Sequence, residues 1–155
     1  MKLKLINIMF IFVLLISCGG GGGGGTPDLG TAPIIDGVYC CQVRDGDIWN
    51  SCIVKSCDYT TGEIAYISIG AIDPDINMAR LIVTQYFKEF GEDDDAYVQY
   101  YGPDVEALPI SSSDFTVYHI TVEVTGPYGE WKIEFIIEDS NGLESEPYYL
   151  YATNS

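Results

Sequence analysis

The chain has 155 residues, 23 acidic side chains against 7 basic ones, and a net charge of −16 at pH 7. That balance repels nucleic acid and anionic lipid surfaces, so neither is a partner that charge would draw in. One histidine leaves little for nucleophilic or metal chemistry, and the roughly 120 residues beyond the N-terminal segment suit one domain and not two.

Lys2 and Lys4 precede an apolar run over residues 5–16 that asparagine interrupts once. A basic stretch followed by an apolar one is the pattern of an export signal, and about 12 residues fall well short of the roughly 20 that a membrane-crossing helix needs. The next residues, Leu15, Ile16, Ser17 and Cys18, resemble the lipobox of bacterial lipoproteins, in which the cysteine is acylated and becomes the mature N-terminus. The resemblance implies a signal peptide over residues 1–17, a lipid on Cys18 and a membrane reached through that lipid, where each buried methylene contributes about 0.8 kcal/mol. Gly19 in place of an aspartate implies the outer membrane of a two-membrane envelope, on its periplasmic or its surface face. Loss of Lys2 and Lys4 with the signal leaves 5 basic side chains against 23 acidic ones, a charge of −18.

Residues 19–25 are all glycine, and "TPDLGTAP" follows. Residues 18–33 therefore read as a flexible tether, spanning on the order of 20 Å. A phosphate-cradling loop is excluded, because it needs a preceding strand, a following helix and usually a lysine.

From residue 34 to residue 155 short alternating runs recur between turn residues, which predicts an all-β antiparallel sandwich. The expected strands cover residues 34–43, 48–54, 63–72, 79–87, 97–101, 115–124, 130–138 and 147–152. Alternation places Trp131, Ile133, Phe135 and Ile137 inward, with Lys132, Glu134 and Glu138 outward. Tyr118, Ile120, Val122 and Val124 share an inner face, which points His119 to solvent. "AIDPDINMARLIVTQYF" and "GEWKIEFIIEDSNGLES" resemble the B-to-C and F-to-G portions of bacterial Ig-like sandwiches, the group that includes PKD-like, cadherin-like and fibronectin III-like modules. The resemblance implies about seven strands with an inserted cysteine-rich hairpin. No cysteine lies in the expected F strand and no tryptophan in the expected C strand, so an antibody-type B-to-F disulfide is excluded.

Cys40, Cys41, Cys52 and Cys57 read as two disulfides in an exported chain. A hairpin turning at "RDGD" with a three-residue loop sets Cys40 opposite Cys52, favouring Cys40 with Cys52 and Cys41 with Cys57; a two-residue loop sets Cys41 and Cys52 diagonally on one face. A bond between Cys40 and Cys41 is disfavoured, because neighbours in a strand point to opposite faces. Zinc lacks its paired Cys-x-x-Cys knuckles and haem its C-x-x-C-H.

In an Ig-like order the loops after strands B and F share one end, which gathers Asp73, Asp75, Asn77, Asp139 and Asn141. Five oxygen-bearing side chains there suit calcium; turn formation by the same Asp and Asn residues explains them equally. The tether leaves from this end. At the opposite, distal end Trp49, Asp93, Asp94, Asp95, Tyr97, Tyr100, Tyr101 and Tyr128 form a candidate surface for a protein partner. No Ser-His-Asp or Cys-His set and no hydrolase elbow can be assembled, so catalysis is not expected, and no cofactor other than calcium. The sequence reads as a lipid-anchored envelope protein with a structural or protein-interaction role, the alternative being a calcium- or carbohydrate-binding module.

Overall fold

The computed structural model describes residues 30–42, 53–54 and 56–155; Cys18, most of the tether, Trp49 and Cys52 lie outside the described residues. Among these, nine strands and no helix occur: β1 (Ile34–Gln42), β2 (Ile53–Val54), β3 (Asp58–Tyr59), β4 (Ile64–Ile72), β5 (Met78–Lys88), β6 (Val98–Ala107), β7 (Phe115–Glu123), β8 (Gly129–Asp139) and β9 (Tyr148–Asn154). They form a four-stranded sheet in the order β2-β1-β4-β7 and a five-stranded sheet in the order β3-β9-β8-β5-β6. Every pairing is antiparallel except β3 with β9. The chain is an Ig-like β-sandwich, with β4, β5, β8 and β9 in the places of strands B, C, F and G.

Residue alternation builds the core. In β8 every odd position from Gly129 to Asp139 is buried and every even one half-buried, so Trp131, Ile133, Phe135 and Ile137 meet the inward Ala65, Ile67, Ile69 and Ala71 of β4. Tyr118, Val122 and Val124 join them, while Ile120 is only partly buried.

Three differences from the sequence reading have physical causes. β6 runs on to Ala107 and not to residue 101, because its pairing with β5 resumes at Asp104 beyond two register shifts. Gly102 permits that passage: its φ is +95°, and a Cβ there would sit 2.6 Å from the Val83 carbonyl oxygen. The two-residue β3 carries too little periodicity to be read, and Thr153 N–H donating to the Cys57 oxygen helps hold it beside β9.

The third difference is the disulfide. Cys40 bonds to Cys57, with Cα atoms 5.5 Å apart, and not to Cys52; Cys57 is thereby also lost to Cys41. The hairpin register explains this, since Cys41 pairs with Val54 and Gln42 with Ile53, three residues further along than a three-residue loop allows. An odd displacement exchanges the two faces of the strand. Cys40, 1% exposed, points between the sheets, where Cys57 arrives just ahead of β3. The bond therefore ties the two sheets together. Cys41 points to the outer face and is disulfide-bonded too.

Closing a loop across a separation of 17 residues constrains the unfolded chain by about 3 kcal/mol. Joint replacement of Cys40 and Cys57 by alanine is expected to remove about that much stability in urea titrations while preserving the β-sheet circular dichroism. A loss below about 1 kcal/mol would show that the bond does not bear on the union of the sheets.

Candidate functional site

Strand order brings the five rim residues to one end. Met78 pairs with Asp139, Ser140 N–H donates to the Asn77 oxygen at 2.9 Å, and Thr31 N–H donates to Asp75 Oδ2. A Cβ on Gly30 would lie 2.4 Å from Asp75 Oδ2 and 3.7 Å from Asn141 Nδ2, so the start of the described chain passes between these side chains. Asp73, fully buried, accepts from Asp75 N–H at 3.0 Å and from Asn77 N–H at 2.8 Å. Asp139 Oδ1 accepts from Asn141 N–H and Leu143 N–H, both at 2.8 Å. Three of the four carboxylate oxygens on these two residues are thus engaged by backbone donors, as Asx turns require. Among the described residues no group of three His, Cys, Asp or Glu side chains could hold a metal ion.

The distal acidic loop is organised by a cation that the sequence reading passed over. Lys88 is 4% exposed, and its Nζ donates to Asp94 Oδ1 at 3.1 Å and to the Glu92 carbonyl at 3.3 Å, with Glu130 Oε2 also 3.1 Å away. It stands 5.0 Å from the centroid of Tyr97. The hydrogen bond to Asp94 raises its pKa, burial opposes that, and Glu130 adds to the rise. Asp94 and Tyr97 therefore both meet Lys88, Tyr97 half-buried and Asp94 with its side chain fully exposed. Asp93, Asp95 and Tyr128 are exposed, and so are Tyr100 and Tyr101. The position of Lys88 at the end of a strand, six residues before Asp94, was the available signal.

Beside these residues the outer face of the five-stranded sheet is a mixed surface. Lys132 Nζ lies 4.7, 5.2 and 5.4 Å from the rings of Tyr86, Tyr97 and Tyr149, and Arg80 pairs with Glu138. The rings already surround a cation of the same chain.

The outer face of the four-stranded sheet is different. Ile34 and Tyr39 of β1, Ile64 of β4, and Phe115 and Val117 of β7 are exposed on it, and Gly37 pairs with Gly70 at its centre. Among the described outward positions the carboxylates are Asp36, at a register shift, and Glu123, at the end of β7. His119 lies here, half-buried and not fully in solvent, with Nδ1 2.8 Å from Ser68 Oγ; Ser68 Oγ is 3.1 Å from Cys41 Sγ. Ser68 is 6% exposed, and burial holds the His119 pKa below its ordinary 6.5.

Between the sheets, a cavity of about 20 Å³ lies among Cys40, Tyr59, Ile67, Trp131, Ile133 and Leu150. That is space for one water-sized body, far below the several hundred Å³ of an organic ligand site. Burial pushes the Tyr59 phenol up to about 12, with Glu63 and Asp58 adding to it.

No family model matches the chain, and no curated protein does. Among solved structures it is similar to a Niemann-Pick type C2 protein from the Japanese carpenter ant, with a TM-score of 0.51 and 9% identity over 81% of this chain and 95% of that one. It is also similar to Spo0M, a sporulation control protein from Bacillus subtilis, with a TM-score of 0.51 and 10% identity; the match covers 81% of this chain and half of Spo0M. These likenesses establish the sandwich fold.

Two outcomes follow. Asp73→Ala removes two backbone hydrogen bonds and is expected to cost about 2 kcal/mol, equally in calcium and in EDTA, by thermal melts; a loss seen only with calcium would assign the rim to metal. The unfolded chain takes up a proton at His119 before the folded one does, so the associated stability is complete above about pH 6.5 and is lost as pH falls through the lower folded value. His119→Asn is expected to flatten that part of the melting-temperature profile between pH 7 and 5.

Proposed function

We propose that this chain is a lipid-anchored protein of the bacterial cell envelope, whose acidic Ig-like domain serves in a structural or protein-interaction role. The anchor rests on Leu15–Cys18 and the glycine tether, and their resemblance to a lipobox. The interaction role rests on one observation: in a chain of charge −16, the outer face of the four-stranded sheet exposes Ile34, Tyr39, Phe115 and Val117 on neighbouring rows. Contiguous apolar surface of this kind marks a place that another molecule covers.

Cys18→Ala is expected to move the protein from the membrane fraction to the soluble one, and mass spectrometry of the extracted wild type to find an acylated N-terminal cysteine. An unmodified thiol would contradict the anchor. Phe115→Lys alters an exposed side chain and is expected to leave the melting temperature within about 2 °C while lowering the apparent mass of the membrane-extracted protein on native gels. An unchanged mass would contradict the interaction role of the face.

A further inference from the structure

We propose that a cleft at the start of β1 binds a small aliphatic diamine, a dication with a hydrocarbon stem. The site goes beyond the contact role of the apolar outer face, with which it shares only Ile34.

The cleft holds about 280 Å³, close to the lower end of the range of small-molecule sites. Its walls come from two segments that the fold brings together: residues 32–35, which lead into β1, and residues 144–148, which lead into β9. Pro33, Ile35, Pro147 and Tyr148 give it an apolar lining, and the charged side chains that border it are Glu144 and Glu146.

Ser145 sets the two acids outward. Its N–H donates to the Ile137 oxygen at 2.8 Å and its Oγ accepts from the Ile137 N–H at 3.0 Å, so it is buried while both neighbours are exposed. Their Cα atoms, two residues apart, are separated by no more than about 7 Å, so one short dication reaches both carboxylates.

No described cation neutralises this pair. Glu144 stands opposite Glu138, and the charge of Glu138 is met by Arg80 from the other side of β8. Lys88 is held by Asp94 and Glu130, and Lys132 lies among tyrosine rings. The remaining basic residues, Lys2, Lys4, Arg44 and Lys55, lie outside the described residues. Glu144 and Glu146 make no ion pair and no side-chain hydrogen bond among the described residues.

Charge and lining together select the occupant. A chain of charge −16 repels anions, and two unpaired carboxylates at the mouth repel them further. A bare metal ion gains nothing from apolar walls, and no group of three His, Cys, Asp or Glu side chains among the described residues could hold one. A diamine sets one ammonium at each carboxylate and lays its methylenes against Pro33, Ile35 and Pro147. Exposed ion pairs alone are weak in water, so the buried stem is what separates this ligand from other cations.

The test is equilibrium dialysis of labelled cadaverine against the detergent-extracted, lipid-bearing protein, with magnesium in excess over the diamine to fill the diffuse field of the acidic chain. Saturable binding of one cadaverine per chain is expected. Joint Glu144→Gln and Glu146→Gln replacement alters two exposed side chains and is expected to weaken binding at least about tenfold, whereas joint Asp93→Asn and Asp95→Asn replacement at the opposite end leaves it within about twofold. Binding that magnesium abolishes, that both pairs of substitutions weaken equally, or that survives loss of Glu144 and Glu146 would overturn the site.

Discussion

The contact between the inner faces of β4 and β8 carries the molecule. Ile67, Ile69 and Ala71 on one sheet and Ile133, Phe135 and Ile137 on the other are essentially inaccessible to water, and the hydrophobic burial they share outweighs the ordering of the strands that present them. Because side chains alternate, this one contact also decides what lies outside. Every inward Ile in β4 is followed by an outward residue, and those outward residues form the face on which Ser68 and His119 meet. The Cys40–Cys57 bond adds a covalent tie between the same two layers.

Much of this architecture was legible in the residues. The run from Glu130 to Glu138 alternates apolar and charged side chains so regularly that its inner face follows from the alternation alone, and the fold buries those same four residues. The turn residues Asp73 and Asp139 were likewise placed at a common rim, because the B-to-C and F-to-G connections of an Ig-like order share an end. What stayed illegible depended on register. The pairing of Cys41 with Val54 shifts the hairpin by an odd number of residues, and an odd shift exchanges faces, so the favoured disulfide pairs failed together. Lys88 is the other case: a buried ammonium is rare, and its partners Asp94 and Glu130 come from separate parts of the chain. Only Asp94, six residues after Lys88, left a local trace, while Glu130 is brought in by the fold.

The two outer faces differ in a way that bears on what the domain does. The five-stranded sheet presents Arg80, Lys132, Glu134 and Glu138 among tyrosines that its own lysines already engage, a surface at ease in water. The four-stranded sheet presents aliphatic and aromatic side chains around paired glycines.

Residue-resolved hydrogen exchange tests the packing of the two sheets most directly. Amides of β8, which pairs with β5 on one side and β9 on the other, should exchange most slowly, and those of Tyr118 and Val122, turned toward β4, slowly as well. Fast exchange throughout β8 would contradict the sheet-on-sheet contact as the centre of the fold, and fast exchange at Tyr118 would contradict the pairing of β4 with β7.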